Sequence, residues 1–325
     1  MVENLRGRGE KLDLLLQFGF TQNFSLIYNI PYIDRRQKTG LRLEASYAQN
    51  RSIAYQTRNH QLDFVRTQDV MRERIRAKFG VTRRNDFYTF HSFELNYQDE
   101  KVADTILQLN SQYFLNQNPN QRYLGFNYQF TRDFRDITAY PLRGSILRVG
   151  FRRKGLGIFN GLNTTLLEAN YGYFHDLGSG FFLENQVRGQ LSIQPRQPYS
   201  DAQAVGYGEN LLRGYELYVI DGQSFILNNN TLRFRLFDIK KSYKFIPIRQ
   251  FRTVPLASYL TAYFDNGFVK DEYFTELNRR FSNRWVQGWG VGLDFVTFYN
   301  LVFRFNYAVN SDLEGRFFFN FRTNI

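Results

Sequence analysis

The sequence predicts an all-β fold, an antiparallel transmembrane β-barrel of about sixteen strands, from its alternation, its strand lengths and its aromatic content. From Lys11 to Phe20, apolar residues occupy every even position, and polar residues or glycine occupy most odd positions. Similar alternation recurs from Arg122 to Arg132 and from Leu301 to Tyr307. Because successive side chains of a strand point to opposite faces, each segment has one apolar and one polar face.

Strand length distinguishes a membrane barrel from a water-soluble sandwich, which shows the same alternation. The segments run about ten residues or more, the span of a tilted transmembrane strand, whereas soluble strands average about five or six. No run of about 18 apolar residues occurs, so a transmembrane helix is excluded. The 34 Phe and 22 Tyr residues favour strands and suit the aromatic girdles of a barrel.

The segments form one continuous barrel domain over residues 1–325, with no linker or second domain. An even number of strands places both chain ends on the periplasmic side of a bacterial outer membrane. The segment 70–81 has a dense polar face, so an amphipathic helix over 69–79 is the alternative there. The predicted strands cover residues 11–20, 22–30, 39–49, 52–66, 70–81, 87–97, 103–114, 121–132, 144–152, 162–174, 181–191, 223–237, 257–266, 288–296, 300–309 and 315–322.

The net charge of +12 does not indicate nucleic-acid binding, because Lys and Arg alternate with Phe, Tyr and acids along the strands. Basic residues at the rims of a barrel would face lipid phosphates instead. The absence of cysteine fits an oxidising compartment. No secretory signal peptide opens the sequence, so we expect the natural N-terminus of an outer-membrane protein to lie upstream.

Features of enzymes are scarce in this sequence. The histidines His60, His91 and His175 lie far apart and there is no cysteine, so no metal site and no cofactor are predicted. Neither a G-x-S-x-G elbow nor a phosphate-binding loop occurs. An Asp/His/Ser site assembled across the barrel wall is the enzymatic alternative. We therefore predict a protein that is not an enzyme.

Two short motifs lie in the last third of the chain. Leu212-Arg213-Gly214-Tyr215 stands in a long loop, and Tyr263-Phe264-Asp265-Asn266-Gly267 lies on a predicted strand. They resemble the (V/I)-R-G-(F/Y) and F-x-D-x-G signatures of the outer-membrane barrel superfamily of BamA-type assembly factors, TamA-type proteins and two-partner secretion transporters. This superfamily includes the surface-antigen and POTRA-associated barrels. The second motif is shifted by one residue, because Phe264 directly precedes Asp265.

Two further stretches resemble the same superfamily, so that the resemblance covers essentially the whole chain. Asn4-Leu5-Arg6-Gly7-Arg8-Gly9-Glu10 is similar to the N-x-x-G-x-G motif before its first barrel strand. Phe130-Thr131-Arg132-Asp133, with Pro141-Leu142-Arg143-Gly144, is similar to its D-T-R-D…P-x-x-G periplasmic turn. The residues that match this turn motif are Arg132, Asp133, Pro141 and Gly144.

The resemblance implies that the loop carrying Arg213, Gly214 and Tyr215 folds into the barrel, where Arg213 pairs with Asp265 near Gly267. Strand parity puts Asp265 on the lumenal face, and a guanidinium can bind a carboxylate through two parallel hydrogen bonds. The alternative is an exposed loop arginine and a solvated aspartate.

The strand before this aspartate departs from the family pattern. Thr231 stands where many relatives carry a lumenal glutamate, so no second acidic contact for Arg213 is expected. Arg233 and Arg235 share this face and would disfavour a buried Arg213 unless acids such as Glu184 or Asp294 compensate.

The resemblance further implies that the protein folds and inserts other outer-membrane β-proteins at a seam between its first and last strands. Implied partners are outer-membrane lipid and lipopolysaccharide, unfolded outer-membrane proteins and accessory lipoproteins, and POTRA repeats are expected upstream. The rival functions are a two-partner secretion transporter, a TamA-type or patatin-fused barrel, and a plain porin. The predicted seam residues are Lys11, Asp13, Leu14, Gly315, Phe317 and Phe319.

Overall fold

The computed structural model of the chain describes residues 2–4, 6–159, 162–194, 196–242, 253–273, 276–298 and 301–322. These residues form one antiparallel sheet of fifteen strands and two separate two-stranded sheets. The strands are β1 (Val2–Glu3), β2 (Lys11–Gln17), β3 (Thr21–Ile30), β4 (Thr39–Asn50), β5 (Ser52–Arg58), β6 (Gln61–Arg66), β7 (Arg72–Arg84), β8 (Thr89–Val102), β9 (Asn120–Asp133), β10 (Gly144–Lys154), β11 (Thr164–Gly178), β12 (Phe181–Ser192), β13 (Gln203–Val205), β14 (Ile220–Asp221), β15 (Ser224–Ser242), β16 (Thr253–Lys270), β17 (Trp285–Thr297), β18 (Leu301–Asn310) and β19 (Gly315–Arg322).

Helical structure in these ranges comprises α1 (Asp104–Leu109), two 3₁₀ turns, Leu115–Gln117 and Tyr199–Asp201, and a 3₁₀ residue at Phe298. These helices lack the length and the apolar character that crossing a membrane requires.

The strands of the large sheet lie side by side in chain order, except that β5–β6 and β13–β14 form separate pairs. We call the end of the sheet where β2 begins and β19 ends the terminal end, and the opposite end the loop end. The loop of residues 193–223, between β12 and β15, therefore lies at the loop end. Within the described residues, no backbone pairing joins β2 to β19, so the two outermost long strands leave a seam.

The two faces of the sheet follow the predicted alternation. Directly opposite residues of neighbouring strands share a face, and the register places Leu167 between Phe151 and Leu191. Leu167 and Phe264 are exposed on what we call the outer face, whereas Asp265 is fully buried on the inner face. Residues of opposite faces alternate along each strand because the side-chain period is two.

Two predicted strands are wrong. Residues 52–66 form the β5–β6 hairpin, because Asn59 and His60 adopt the positive φ angles of a two-residue hairpin turn. Residues 103–114 contain α1, whose Ile106 is buried against Ile53, Met71 and Val102. The large sheet thus has fifteen strands in the described residues, including the two-residue β1, where about sixteen were predicted.

The segment around residue 75, for which the sequence allowed either a strand or a helix, is a strand. β7 spans Arg72–Arg84 and pairs with β4 and β8 along its length, so the alternative of a helix over 69–79 is wrong. β15 and β16 extend beyond their predicted bounds toward the terminal end.

Contacts between distant strands show that the sheet curves around its inner face. The backbone of His60, in the β5–β6 hairpin, accepts from Val219 of the 193–223 loop and donates to Asn278, which follows β16. Thr57 and Tyr199 share a hydrogen bond of 2.9 Å between their hydroxyl groups. The β5–β6 hairpin therefore lies over the loop end together with segments from the opposite side of the sheet.

Candidate functional site

The tip of the 193–223 loop packs into the interior of the curved sheet. Leu212 and Tyr215 of the tip are each 1% exposed. They belong to an apolar cluster with Phe225 and Leu227 of β15 and Val269 of β16, which are inner-face residues. Burial of one such side chain contributes roughly 1.5–3 kcal/mol, so the cluster holds the intervening Arg213 inside the sheet.

Arg213 binds Asp265 of β16 through one edge of its guanidinium group, with two parallel hydrogen bonds. Its Nε lies 2.7 Å from Oδ2 of Asp265, and its Nη2 lies 2.5 Å from Oδ1. The backbone N–H of Arg213 donates to the same Oδ2 at 3.2 Å. The Asp265 side chain is fully buried and that of Arg213 is 24% exposed, so this charge-assisted pair is largely shielded from water. We call this contact the loop lock.

Two neighbours complete the surroundings of the guanidinium. Nη2 of Arg213 also donates to the carbonyl oxygen of Asn230 on β15, at 3.1 Å. The guanidinium carbon lies 4.0 Å from the ring centroid of Tyr263, which is two residues before Asp265 on the same face. A cation over a tyrosine ring is attracted by the electrons of the ring face, so Tyr263 helps to hold the Arg213 guanidinium in place.

A row of glycines on β17 makes room for the loop tip. Gly288 and Gly290 lie directly opposite Asp265 and Tyr263. A Cβ at Gly288 would lie 1.8 Å from the carbonyl oxygen of Arg213, and one at Gly290 would lie 2.6 Å from the Tyr263 hydroxyl. Glycine in a strand often marks such a close approach. Gly214 in the tip has φ of +92°, which favours glycine on the other side of the contact.

Tyr215 fixes the tip to the last hairpin of the sheet. Its hydroxyl donates to Oγ of Ser311 at 2.9 Å, in the turn between β18 and β19, and also lies 3.2 Å from the carbonyl oxygen of Gln287. The backbone N–H of Gly214 donates to the Glu216 carboxylate at 2.7 Å. Gly267, the last residue of the second motif, lies opposite Leu227, and a Cβ there would lie 3.8 Å from a methyl carbon of Leu212, so it borders the same cluster.

Arg233, the inner-face arginine next to the loop lock, forms an ion pair with a different acid. Thr231 is buried opposite Tyr263, and Arg233 pairs with Glu184 of β12. Asp294 lies 3.7 Å from Nε of Arg304 on the neighbouring strand. The acids that the sequence suggested as compensation thus lie beside inner-face arginines.

The residues of the predicted periplasmic turn separate into two groups. Arg132 lies on the outer face with its guanidinium carbon 4.8 Å from the Phe134 ring, and Asp133 binds Arg135 at 2.6 Å. Pro141 is buried, and Gly144 has φ of +99°. A Cβ at Gly144 would lie 2.0 Å from the Phe134 carbonyl oxygen, so the turn requires glycine there.

The predicted seam residues lie on the two strands that border the seam, β2 and β19. On β2, Lys11 forms an ion pair of 2.9 Å with Glu3 of β1, and Leu14 is exposed on the outer face. Asp13 lies between them on the inner face. On β19, Phe317 and Phe319 are exposed on the outer face, and Gly315 pairs with Val309 at the start of the strand.

β1 covers part of the β2 edge at the terminal end. It pairs with Lys11 and Leu12, and the N–H of Asn4 donates to the Glu10 carbonyl at 2.6 Å. The Glu10 carboxylate accepts hydrogen bonds from the backbone of Arg6 and Arg8. Although burial opposes it, these bonds lower the pKa of Glu10. The described residues of the N-x-x-G-x-G motif thus gather around one carboxylate.

Several residues of the site were not predicted from sequence. The glycine row had a signal in the sequence, since Gly288-Trp289-Gly290-Val291-Gly292 places glycine at every inner-face position. The roles of Tyr263 and Asn230 depend on strand register and had no separate signal. Among the residues that the structure describes, no three His, Asp or Glu side chains are grouped so that they could hold a metal ion.

Residues 4–324 match the Omp85 superfamily domain. The chain belongs to the Omp85 superfamily. Members of this superfamily are β-proteins of the bacterial outer membrane that act as transporters or insertases, and the chain is accordingly an outer-membrane protein. Among curated proteins, none matches its sequence.

Solved structures resemble the Omp85 chain in fold. BamA from Haemophilus ducreyi lacking POTRA domains 1–3 is similar with a TM-score of 0.67 at 14% identity, covering 98% of this chain and 65% of that one. CdiB from Escherichia coli is similar with a TM-score of 0.56 at 12% identity, covering 93% of this chain and 52% of that one. The chain thus spans less than two thirds of each, and the likeness is one of fold.

Proposed function

We propose that this Omp85 chain folds and inserts other β-barrel proteins into the outer membrane, and that an incoming strand pairs at the seam between β2 and β19. The observation that carries the proposal is the absence of backbone pairing between these two strands in the described residues. A strand edge presents free N–H and C=O groups that template another strand. In a bilayer such groups have no water to satisfy them, so pairing with a substrate is favoured.

The lengths of the edge strands support this proposal. β2 has seven residues and β19 has eight, whereas β15 and β16, which hold Arg213, have 19 and 18. Each missing ladder bond removes roughly 0.5–1.5 kcal/mol of closure. Because β1 covers only Lys11 and Leu12, the rest of the β2 edge is the part to which a substrate strand would add.

The proposed partners follow from the same geometry. Substrates are unfolded outer-membrane proteins whose strands complete the β2 edge. Arg122 and Arg153 lie on the outer face near the loop end, where cations would contact the phosphates of lipopolysaccharide. From the family resemblance we also expect accessory lipoproteins and upstream POTRA repeats.

A reversible disulfide across the seam tests the proposal, because the chain has no native cysteine. Leu14→Cys and Phe319→Cys lie on the outer face of the two edge strands. Oxidation should stop insertion of a β-barrel substrate into proteoliposomes, and reduction should restore it. The matched control is Leu26→Cys with Ala45→Cys, which are directly opposite on β3 and β4 and leave the seam free. Undiminished insertion with a locked seam would reject the proposal.

A two-partner secretion transporter is the second candidate, supported by the likeness in fold to CdiB. Such a protein would pass a polypeptide through its interior, where the loop tip now lies. Export that continues with the seam locked, and that increases when the loop lock is broken, would favour this function. A TamA-type or patatin-fused protein would differ in its upstream domain.

A further inference from the structure

The turn between β9 and β10, residues 134–143, folds onto the inner face of distant strands. Ala139 and Tyr140 are 1% and 2% exposed, although connections between strands normally lie at the surface. The Tyr140 hydroxyl donates to Oδ2 of Asp294 on β17, at 2.9 Å, and this hydrogen bond is buried. A surface turn would bury a tyrosine in this way only if tertiary contacts held it there.

A second strand holds the backbone of the same turn. Nη1 of Arg233 on β15 donates to the carbonyl oxygen of Pro141 at 3.0 Å, while its Nη2 binds Glu184 on β12. The Arg233 guanidinium carbon also lies 4.5 Å from the centroid of the Tyr140 ring. One buried arginine thus joins the turn, β15 and β12.

Apolar contacts extend this junction to β16 and β18. The ring centroids of Tyr140 and Tyr259 are 5.1 Å apart, and both rings belong to a buried cluster with Phe182 and Val302. Val302 lies on β18, which pairs with β19 from Val302 to Val309. The turn therefore contacts the strand directly before the last one. We call the contacts of Tyr140 and Pro141 the turn clasp.

The turn clasp and the loop lock contact the same strands at different positions along their length. On β16, Tyr263 and Asp265 contact Arg213, whereas Tyr259 on the same face contacts Tyr140. The loop tip and the turn border one cavity of about 490 Å³. A strand rises about 3.4 Å per residue, so the two anchors are roughly 14–20 Å apart along β16.

We infer that Tyr140 is a positioning residue that sets the separation of β2 and β19 at the terminal end of the seam. Because no backbone pairing joins these edges, interior contacts must fix the curvature of the sheet. The turn clasp attaches β17 and β18, which carry β19, to the β9–β10 pair in the middle of the sheet. The inference rests on the proposed function only for the role of the seam in insertion. The separation of β2 and β19 can be measured without a substrate.

Spin labels on introduced cysteines measure that separation directly. Leu12→Cys with Phe321→Cys reports the terminal end of the seam, and Leu16→Cys with Phe317→Cys reports the loop end. Tyr140→Ala should shift the terminal-end distances to longer and broader values and leave the loop-end distances unchanged. Tyr140→Phe keeps the ring and loses the bond to Asp294, so it should give a smaller shift.

The control is Tyr32→Ala, which removes a partly exposed tyrosine from the β3–β4 turn at the same end of the sheet. It should leave both distance distributions unchanged. Terminal-end distances that are the same in Tyr140→Ala as in the parent would overturn the inference. If Tyr140→Ala does not fold, an unshifted distribution in Tyr140→Phe would overturn it as well. Undiminished insertion with a locked seam would reject the proposed function and would not alter these distances.

Discussion

The carbonyl oxygen of Arg213 lies against Gly288, where a Cβ atom would be only 1.8 Å away. The loop lock therefore depends on a missing side chain on β17 as much as on the charge of Asp265. Because the nearest atoms belong to the loop backbone, a rotamer change cannot relieve such a clash. The loop tip and the glycine row are complementary surfaces.

Gly288→Ala should displace the loop tip while leaving the sheet intact. Overpacking of this kind costs roughly 1–3 kcal/mol, which the loop can avoid by moving out of the interior. We expect faster limited proteolysis within residues 193–223. Gly189→Ala on β12 is the control, because its Cβ would meet nothing closer than 3.4 Å. Equal cleavage rates in the two variants would contradict the fit between Arg213 and Gly288.

Removal of either partner of the loop lock should destabilise the loop strongly. Arg213→Ala leaves the buried Asp265 carboxylate without its cation, and loss of one partner of a buried pair costs roughly 3–5 kcal/mol. In a double-mutant cycle, Arg213→Ala with Asp265→Asn should lose less than the sum of the single changes. Amide hydrogen exchange at Leu212 and Tyr215 measures the effect. Additive losses would show that the two groups do not interact.

Acid should loosen the segments that lie over the loop end, through His60. Its Nε2 accepts from the N–H of Phe281 at 2.9 Å, so the neutral ring carries its proton on Nδ1, which faces the Val219 carbonyl. Burial, together with the charge of Arg280, lowers the pKa of His60 to about 4 from 6.5. The unfolded state then binds the proton first as pH falls, so stability is present above about 6.5 and is lost progressively toward 4.

The loss amounts to roughly 3 kcal/mol at most. Hydrogen exchange in β5 and β6 should accelerate between pH 7 and pH 4.5, beyond the intrinsic effect of pH. His60→Gln should remove this extra dependence, whereas His175→Gln at the terminal end should retain it. A parent profile as flat as that of His60→Gln would contradict the assignment.

Glu10 should hold β1 on the edge of β2. Its buried carboxylate accepts from the N–H groups of Arg6 and Arg8, and unsatisfied backbone donors follow when it is removed. Glu10→Ala should therefore speed hydrogen exchange at Lys11 and Leu12. Glu3→Gln is the control, because the exposed Glu3–Lys11 ion pair contributes at most about 1 kcal/mol. Similar exchange in both variants would show that the carboxylate does not organise this hairpin.

Adjacent residues in the middle of β12 test the assignment of the two faces. Val187 lies on the outer face opposite Tyr171, and Gln186 lies on the inner face opposite Asn229. Val187→Arg should destabilise the protein in a bilayer by roughly 2–4 kcal/mol, because the charge faces hydrocarbon. Gln186→Arg should have a much smaller effect on the free energy of unfolding from vesicles. The reverse order would mean that the faces are exchanged.

Much of the sheet could be predicted from sequence because a period of two fixes which residues share a face. That pattern does not say which strand pairs with which, so it predicts one strand of the large sheet over residues 52–66, where Asn59 and His60 close a separate hairpin. The segment 103–114 was misassigned because its burial depends on distant residues such as Ile53.

The candidate site was predictable to the extent that a motif names its residues. Arg213 and Asp265 were paired by family resemblance, and the structure places them in contact. The carbonyl of Asn230, the ring of Tyr263 and the inward turn at Tyr140 depend on tertiary register, which local patterns do not specify. The glycine row of β17 is visible in the sequence, but its role in making room for the loop tip becomes apparent only from the position of the loop.

Photo-crosslinking of the β2 edge to a substrate during insertion tests the central claim most directly. A photoreactive residue at Leu14 or Leu16 should form adducts with a terminal strand of the inserting protein, because that strand pairs along the β2 edge. The same residue at Leu124, on the outer face of the fully paired β9, should form none. Adducts of equal yield at both sites, or none at β2 while insertion proceeds, would contradict insertion at the seam.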